Sequence, residues 1–158
     1  MKKTLRILLT LMLFVAVSLT TFAYDFYSAG IYYNITDRSK KTVEVTRSSS
    51  NPYFDYSIVI PSTVTYSETT YTVTSIGRSV FKNCIGLSRV EIPNSVTSIC
   101  DDAFYGCTGL TSVTIPNSVI SIYEDAFSRC TGLISITLSN SEFLCVSNWN
   151  SQRKYYFQ

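Results

Sequence analysis

The sequence predicts an α/β solenoid that is mostly β: a short right-handed stack of coils behind a β-rich N-terminal cap. Two matched strings carry that reading. Leu87-Ser-Arg-Val-Glu-Ile-Pro-Asn-Ser-Val-Thr-Ser-Ile is repeated 23 positions later (110 − 87 = 23) as Leu110-Thr-Ser-Val-Thr-Ile-Pro-Asn-Ser-Val-Ile-Ser-Ile. The unit ends match as well, Asp102-Ala-Phe-Tyr-Gly-Cys-Thr-Gly against Asp125-Ala-Phe-Ser-Arg-Cys-Thr-Gly. A fixed period of this length marks an array in which each unit buries its apolar side against its neighbours. The third observation is the apolar spacing within a unit, which alternates with period two over Val113-Thr-Ile115 and so reads as a half-buried strand.

Residues 1–23 read as an export signal: Lys2, Lys3 and Arg6 form the charged start, Ile7 to Val17 the apolar run, and Thr21-Phe22-Ala23 a small-x-small cleavage site. Cleavage is expected after Ala23, and no second apolar run follows, so no transmembrane segment is expected in the mature chain. Of 13 Lys+Arg three leave with the signal, so 10 remain against 11 acids, a net charge of −1. Without a basic run, no nucleic-acid partner is expected.

Residues 24–56 are expected to form the N-terminal β cap. Ile31 to Thr36 and Thr42 to Arg47 are strand-like, and Asp37-Arg-Ser-Lys-Lys between them is a polar turn. An end of a solenoid exposes backbone and apolar side chains, so a cap is physically required.

Residues 57–138 hold the repeats. The inward set is Leu87, Val90, Ile92, Val96, Ile99, Ala103, Phe104 and Cys107 in one unit and Leu110, Val113, Ile115, Val119, Ile122, Ala126, Phe127 and Cys130 in the next. Upstream, Ile58, Ile60 and Val64 begin a unit and Ile76, Val80, Phe81 and Cys84 end it. Pro61 to Ile76 is 15 steps where Pro93 to Ile99 is 6, an insertion of nine. That insertion, 65–73, reads as a hairpin projecting from the first coil around Ser67-Glu-Thr-Thr. Downstream, Leu133, Ile136 and Leu138 open a further unit before the pattern fails, giving about three coils and the first strand of a fourth.

Within a unit, Pro116 cannot donate to a ladder and Asn117-Ser118 favours a turn, so the strand ends there. Val119 to Ile122 is a second short strand. Asp102 or Asp125 before Ala-Phe predicts a single helical or 3₁₀ turn. Gly109 and Gly132 are expected to supply permissive backbone for the swing into the next strand. The tail, 139–158, carries Trp149, Tyr155, Tyr156 and Phe157 in no repeat slot. It is either a degenerate C-terminal tail or a makeshift cap.

The form L-x-x-V-x-I-P-x-x-V-x-x-I-x-x-x-A-F-x-x-C-x-G resembles the leucine-rich repeat of the BspA-like bacterial surface proteins. The lead-in Gly30-Ile-Tyr-Tyr-Asn-Ile-Thr and Thr42-Val-Glu-Val-Thr is similar too. The resemblance implies a leucine-rich-repeat coil stack, a secreted or surface-exposed location, adhesion or protein binding, and no catalysis. The chain departs from it in having few repeats, in Cys100 and Tyr123 at the slot of Gly77, and in its tail.

The residues leave little room for chemistry. With no histidine, Ser–His and Cys–His catalysis is excluded. Cys84, Cys107 and Cys130 recur 23 apart, unlike the close pairs of zinc sites, and read as a ladder of buried thiols. Cys145 falls in the Ile122 slot of the broken unit (122 + 23 = 145). Asp101-Asp102 and Glu124-Asp125 recur with the repeat and are read as turn acids. No enzyme, cofactor or metal is expected.

A partner would meet the solvent side of the main sheet. One column is Ser57, Arg89, Ser112, Ser135 and the next Val59, Glu91, Thr114, Thr137. Candidate binding residues are Arg89, Glu91, Ser112, Thr114, Ser135 and Thr137, with Tyr66 and Tyr71 on the hairpin; Tyr105 and, in the cap, Tyr32, Tyr33, Tyr53 and Tyr56 are further anchors by type. The expected function is a non-catalytic secreted or cell-surface binding module for an extracellular or host protein. A carbohydrate-binding accessory protein and a truncated repeat protein with no ligand of its own stay open beside it.

Overall fold

The computed structural model describes residues 24–47 and 56–139, and the backbone of 145–146. The signal, the connection 48–55 and the aromatic tail lie outside the described residues, so the readings made of them stand untested. The described residues contain strands and turns but no helix.

The cap comprises β1 (Phe26–Ser28), β2 (Ile31–Asp37) and β3 (Thr42–Thr46), paired antiparallel in sequence order. Ala29 and Gly30 close the first hairpin with φ of 48° and 83°. Two left-handed residues are what a two-residue hairpin needs to match the strand twist. The second turn is the polar one read from the sequence. Asp37 Oδ1 accepts bonds from the Ser39 amide (2.8 Å), the Ser39 hydroxyl (2.7 Å) and the Lys40 amide (2.9 Å). Strand β1 was not anticipated; Phe26 anchors it, buried against Tyr33.

Strands β4 (Ser57–Val59), β5 (Thr63–Tyr66) and β6 (Thr69–Ile76) follow. The insertion does form a hairpin, with Ser67 and Glu68 left-handed at its tip (φ 46° and 62°). It does not stand apart from the coil. Strand β6 pairs in parallel with β3 on one side (Val43↔Val73) and with β8 (Ser98–Ile99) on the other (Ile76↔Ile99). Strand β6 therefore splices the cap to the stack through Ser75 and Ile76, just past the insertion, which pair with Glu44 and Val45 on one side and with Ser98 and Ile99 on the other. One consequence overturns a candidate site residue: Tyr71 is buried, not displayed. It alternates inward with Val73 on β6 and its ring lies 6.2 Å from that of Phe26.

The repeats lay down β7 (Arg89–Glu91), β9 (Ser112–Ile115) and β11 (Ser135–Leu138), which with β4 form a four-stranded parallel sheet. Strands β8, β10 (Ser121–Ile122) and β12 (Cys145–Val146) extend the other sheet, in parallel, from β6. The 23-residue period is visible as register: Arg89↔Ser112, Ser112↔Ser135 and Ser98↔Ser121. It slips by one at β12, where Cys145 faces Ser121 and Val146 faces Ile122. Cys145 is thus not in the isoleucine slot; one residue more between β11 and β12 displaces it, and the fourth coil reaches its second strand.

The core is the inward set, and both complete units bury it, with Ile92 half-buried and packed against the rest. Phe81, Phe104 and Phe127 stack at centroid separations of 5.1 and 5.0 Å, so the phenyl slot becomes a continuous column.

Each coil's third side differs from the helical turn expected. Segments 101–106 and 124–129 are successions of turns. Asp102 and Asp125 are left-handed (φ 56° and 54°), as are Gly106 (70°) and Arg129 (58°) four residues on. A left-handed residue every fourth position breaks a right-handed helix, and Asp is among the few side chains that tolerate it. Alternate amides then point along the stack: Asp102 donates to Glu124 O (3.0 Å), Phe104 to Ala126 O (2.7 Å) and Gly106 to Ser128 O (2.8 Å). Ser79, Phe81 and Asn83 do the same one coil earlier.

Gly109 and Gly132 also act otherwise than expected. Neither has a positive φ; a Cβ on Gly109 would lie 2.4 Å from Ile85 O, and one on Gly132 2.2 Å from Thr108 O. Close approach of consecutive coils, not backbone freedom, demands glycine there.

Candidate binding face

The solvent face of the four-stranded sheet is set by strict alternation. In β7 the central Val90 is buried while Arg89 and Glu91 are exposed; β4 has the same pattern, and in β9 Ser112 and Thr114 point out. Parallel in-register pairing then aligns the two columns as read from the sequence, Ser57–Arg89–Ser112–Ser135 and Val59–Glu91 beside Thr114–Thr137. All eight residues are exposed. Six of the eight candidate binding residues therefore share one surface.

The face is electrically quiet. Arg89 donates from Nη2 (3.0 Å) and Nε (3.2 Å) to a single oxygen of Glu91. Both side chains are at least half exposed, so the pair contributes little to folding. Its effect is to cancel the two charges of the face against each other. The remainder is hydroxyl and Val59.

A third column was missed, although its first residue, Tyr56, was read as an anchor of the cap. Slots 56, 88, 111 and 134 run beside the first: Ser88 N donates to Tyr56 O (2.9 Å) and Ile134 N to Thr111 O (2.8 Å). The Ser88 hydroxyl also donates to Tyr56 O (2.6 Å). The ends of this column are large and exposed, Tyr56 at 78% and Ile134 at 83%. Comparing Ile134 with Thr111 and Ser88 across the period would have exposed the switch from hydroxyl to aliphatic.

The other candidates lie elsewhere. Tyr66 is partly exposed, but one face of its ring stacks on Phe26 at 4.5 Å. Tyr71 faces the core. Tyr105 is engaged between coils: Lys82 Nζ lies 4.6 Å from its ring centroid and the Arg129 guanidinium 5.4 Å. Lys82 also forms an ion pair with Asp102 at 2.8 Å, which commits one of the paired acids to inter-coil contact. Of the cap tyrosines, Tyr33 is buried, whereas Tyr27 is exposed and meets Tyr32 at 4.7 Å; Tyr24 meets Tyr32 at 4.4 Å.

The thiols do more than fill space. Cys107 Sγ donates to Phe81 O and Cys130 Sγ to Phe104 O, each at 3.0 Å, so each binds back to the preceding coil. The hydrogen bond with Cys130 and then burial push the Cys107 thiol far above its ordinary range. A thiol raised in this way carries little of the thiolate that is the reactive form. Cys100, Cys107 and Cys130 form no disulfide. Among the described residues no three His, Cys, Asp or Glu side chains converge on one point.

Residues 56–150 match, in 6 copies, the family described as BspA type leucine-rich repeat region. The structure is similar to that of a leucine-rich repeat protein from Bacteroides ovatus (39% identity, TM-score 0.64). That similarity covers 72% of this chain and 29% of that one. It is also similar to a leucine-rich cell surface protein from Faecalibacterium prausnitzii (30% identity, TM-score 0.61; 72% of this chain, 31% of that one). The chain therefore spans less than a third of the length of either. A leucine-rich repeat protein from Bacteroides capillosus, 22% identical with a TM-score of 0.54, shares the fold over 73% of this chain and 98% of its own. No curated protein matches the chain.

Proposed function

The chain belongs to the BspA-type leucine-rich repeat family, and from that premise we propose that it is an exported, non-catalytic module that binds a protein partner at the cell surface or beyond it. The observation that carries this reading is the in-register, exposed and mostly hydroxyl face of β4, β7, β9 and β11. A surface built by repetition presents the same functional groups at a spacing of roughly 4.8 Å, which suits recognition of an extended partner more than chemistry on a small one. The exposed Tyr56 and Ile134 at its two ends supply the apolar anchors that an interface of hydroxyls lacks. Surface location is supported by the charged and apolar pattern of residues 1–23 and by the cell-surface description of the F. prausnitzii relative.

The test is capture of partners from the surrounding milieu by the chain beginning at Tyr24, with a Ser112→Arg, Thr114→Arg double variant as control. Both positions are exposed, so the variant should fold unchanged and lose the captured protein. Equal capture by both chains would remove this face from consideration. Sequencing the N-terminus of exported protein checks the cleavage, with Tyr24 expected first. A glycan ligand is favoured by one observation, the clustered rings of Tyr24, Tyr27 and Tyr32 on the cap. Glycan-array binding that is lost in Tyr27→Ala and retained in the double variant would establish it.

A further inference from the structure

The sheet that joins cap and coils has an outward face of its own. Its strands bury alternate residues: Ile31 and Tyr33 on β2, Val43 and Val45 on β3, Ile99 on β8, Ile122 on β10. Residues between them pair rung by rung into a polar row, Asn34↔Glu44↔Ser75↔Ser98↔Ser121, which crosses from cap to coils unbroken. The bulge in β6 at Thr74 is what brings Ser75 opposite Glu44. All five are half-buried.

A second row runs beside it. Tyr27 faces Tyr32, and Tyr32 faces Thr46. Gly77, Cys100 and Tyr123 continue the row, their amides donating to Val45 O, Ile76 O and Ile99 O at 2.9 Å each. The ends are aromatic, Tyr27 at 58% and Tyr123 at 49% exposed, and the middle is small. Glu44 leans over Gly77, where a Cβ would lie 3.2 Å from its Oε2. Its Oε1 accepts from Asn34 Nδ2 at 3.2 Å. The result is a shallow trough with a tyrosine cluster at one end, Tyr123 at the other and an oriented carboxylate between. From β2 to β10 it crosses four strand spacings, roughly 19 Å.

These features select an occupant. A tyrosine ring offers its face to the C–H side of a sugar ring and its hydroxyl to the sugar's edge. A carboxylate accepts hydroxyl protons more strongly than a neutral oxygen does, and the amide beside it adds a donor for a neighbouring hydroxyl. Neither row contains a cation, so an acidic polymer would meet Glu44 uncompensated. Neither contains an aliphatic side chain to anchor an apolar peptide.

We propose that this trough binds an uncharged glycan lengthwise, with sugar rings on Tyr27 and Tyr123 and hydroxyls on Glu44 and Asn34. The site rests on the glycan reading of the cap tyrosines and extends it over the coils, on a different sheet from β7 and β9. The test is affinity electrophoresis of the exported chain through gels holding a glucan, a mannan or a galactan, with polygalacturonate and hyaluronate as acidic counterparts. At least one uncharged polymer should retard the chain, and neither acidic one. Glu44→Gln keeps the shape and the Asn34 contact, and should weaken binding at least about tenfold, as loss of a charge-assisted hydrogen bond does. Tyr123→Ala should weaken it with the urea midpoint unchanged, whereas the Ser112→Arg, Thr114→Arg variant should bind as before. Binding lost in Tyr27→Ala but unmoved by Glu44→Gln and Tyr123→Ala would overturn the trough and leave the glycan reading confined to the cap. Retardation by no polymer would remove the glycan reading and the trough with it. Equal retardation by acidic polymers, or a captured protein that Tyr123→Ala loses, would also overturn the proposal.

Discussion

Phe104 has no solvent exposure and is stacked between Phe81 and Phe127, so a single ring fills the seam of three coils. Truncation leaves a cavity that rigid strands on either side cannot close. Phe104→Ala is expected to cost about 3–5 kcal/mol in urea unfolding. For a domain of marginal stability that is a large part of the total. Thr114→Ala, on the exposed side of β9, should change it by less than about 0.5 kcal/mol. Asp37 offers a residue-scale test by pH. Its carboxyl is lowered from 3.8 to about 2, first by the Ser39 hydroxyl and then by the Lys40 amide. A depressed value means the folded chain favours the ionised form. The turn is therefore fully supported above pH 3.8, and the support is lost as pH falls towards 2. The Ser39 and Lys40 amide resonances should titrate with a midpoint near 2 and stay flat in Asp37→Asn.

At the scale of elements, the strands were legible because burial imposes period two and the array imposes period 23 on the same residues. Six of the eight columned positions followed from those two numbers alone, and Ser57 and Val59 from adding the insertion of nine (89 − 57 = 23 + 9). What escaped was set by backbone, which leaves weaker marks. Asp-Ala-Phe is compatible with the start of a helical turn, and only φ at Asp102 and Gly106 shows that alternate amides are turned along the stack. Tyr71 looked like an ornament because the hairpin was expected to project from the coil; β6 belongs to the sheet, and its alternation sends Tyr71 inward. The glycines were located correctly and explained wrongly. Their role gives a prediction that separates the two accounts: Gly109→Ala collides with Ile85 O, a backbone atom that cannot swing aside. Its expected cost is about 2–3 kcal/mol, measured as a shift of the urea midpoint. If glycine were needed only for flexibility, with an ordinary φ, alanine would be neutral or stabilising.

Over the whole molecule, the stack has only nearest-neighbour contacts, and such arrays unfold piecemeal when one junction is weak. The junction at risk is where the antiparallel cap meets the parallel coils. Here β6 spans it, bonded to β3 through Val43↔Val73 and to β8 through Ile76↔Ile99, with Val73 and Ile76 fully buried. Gly77 completes the seam: its amide donates to Val45 O at 2.9 Å, and a Cβ there would lie 2.6 Å from the same oxygen. Strand β6 thus joins cap and coils in one continuous sheet. Cap and coils should then open together, so that hydrogen exchange at Val45 in the cap and at Ile99 in the stack reports the same free energy. Val73→Asp, placing a charge in the seam, should destabilise both sites alike. A cap that exchanges at markedly lower free energy than the coils in the unaltered chain would show that β6 does not couple them, and the cap would then be a separable lid on a stack that folds by itself.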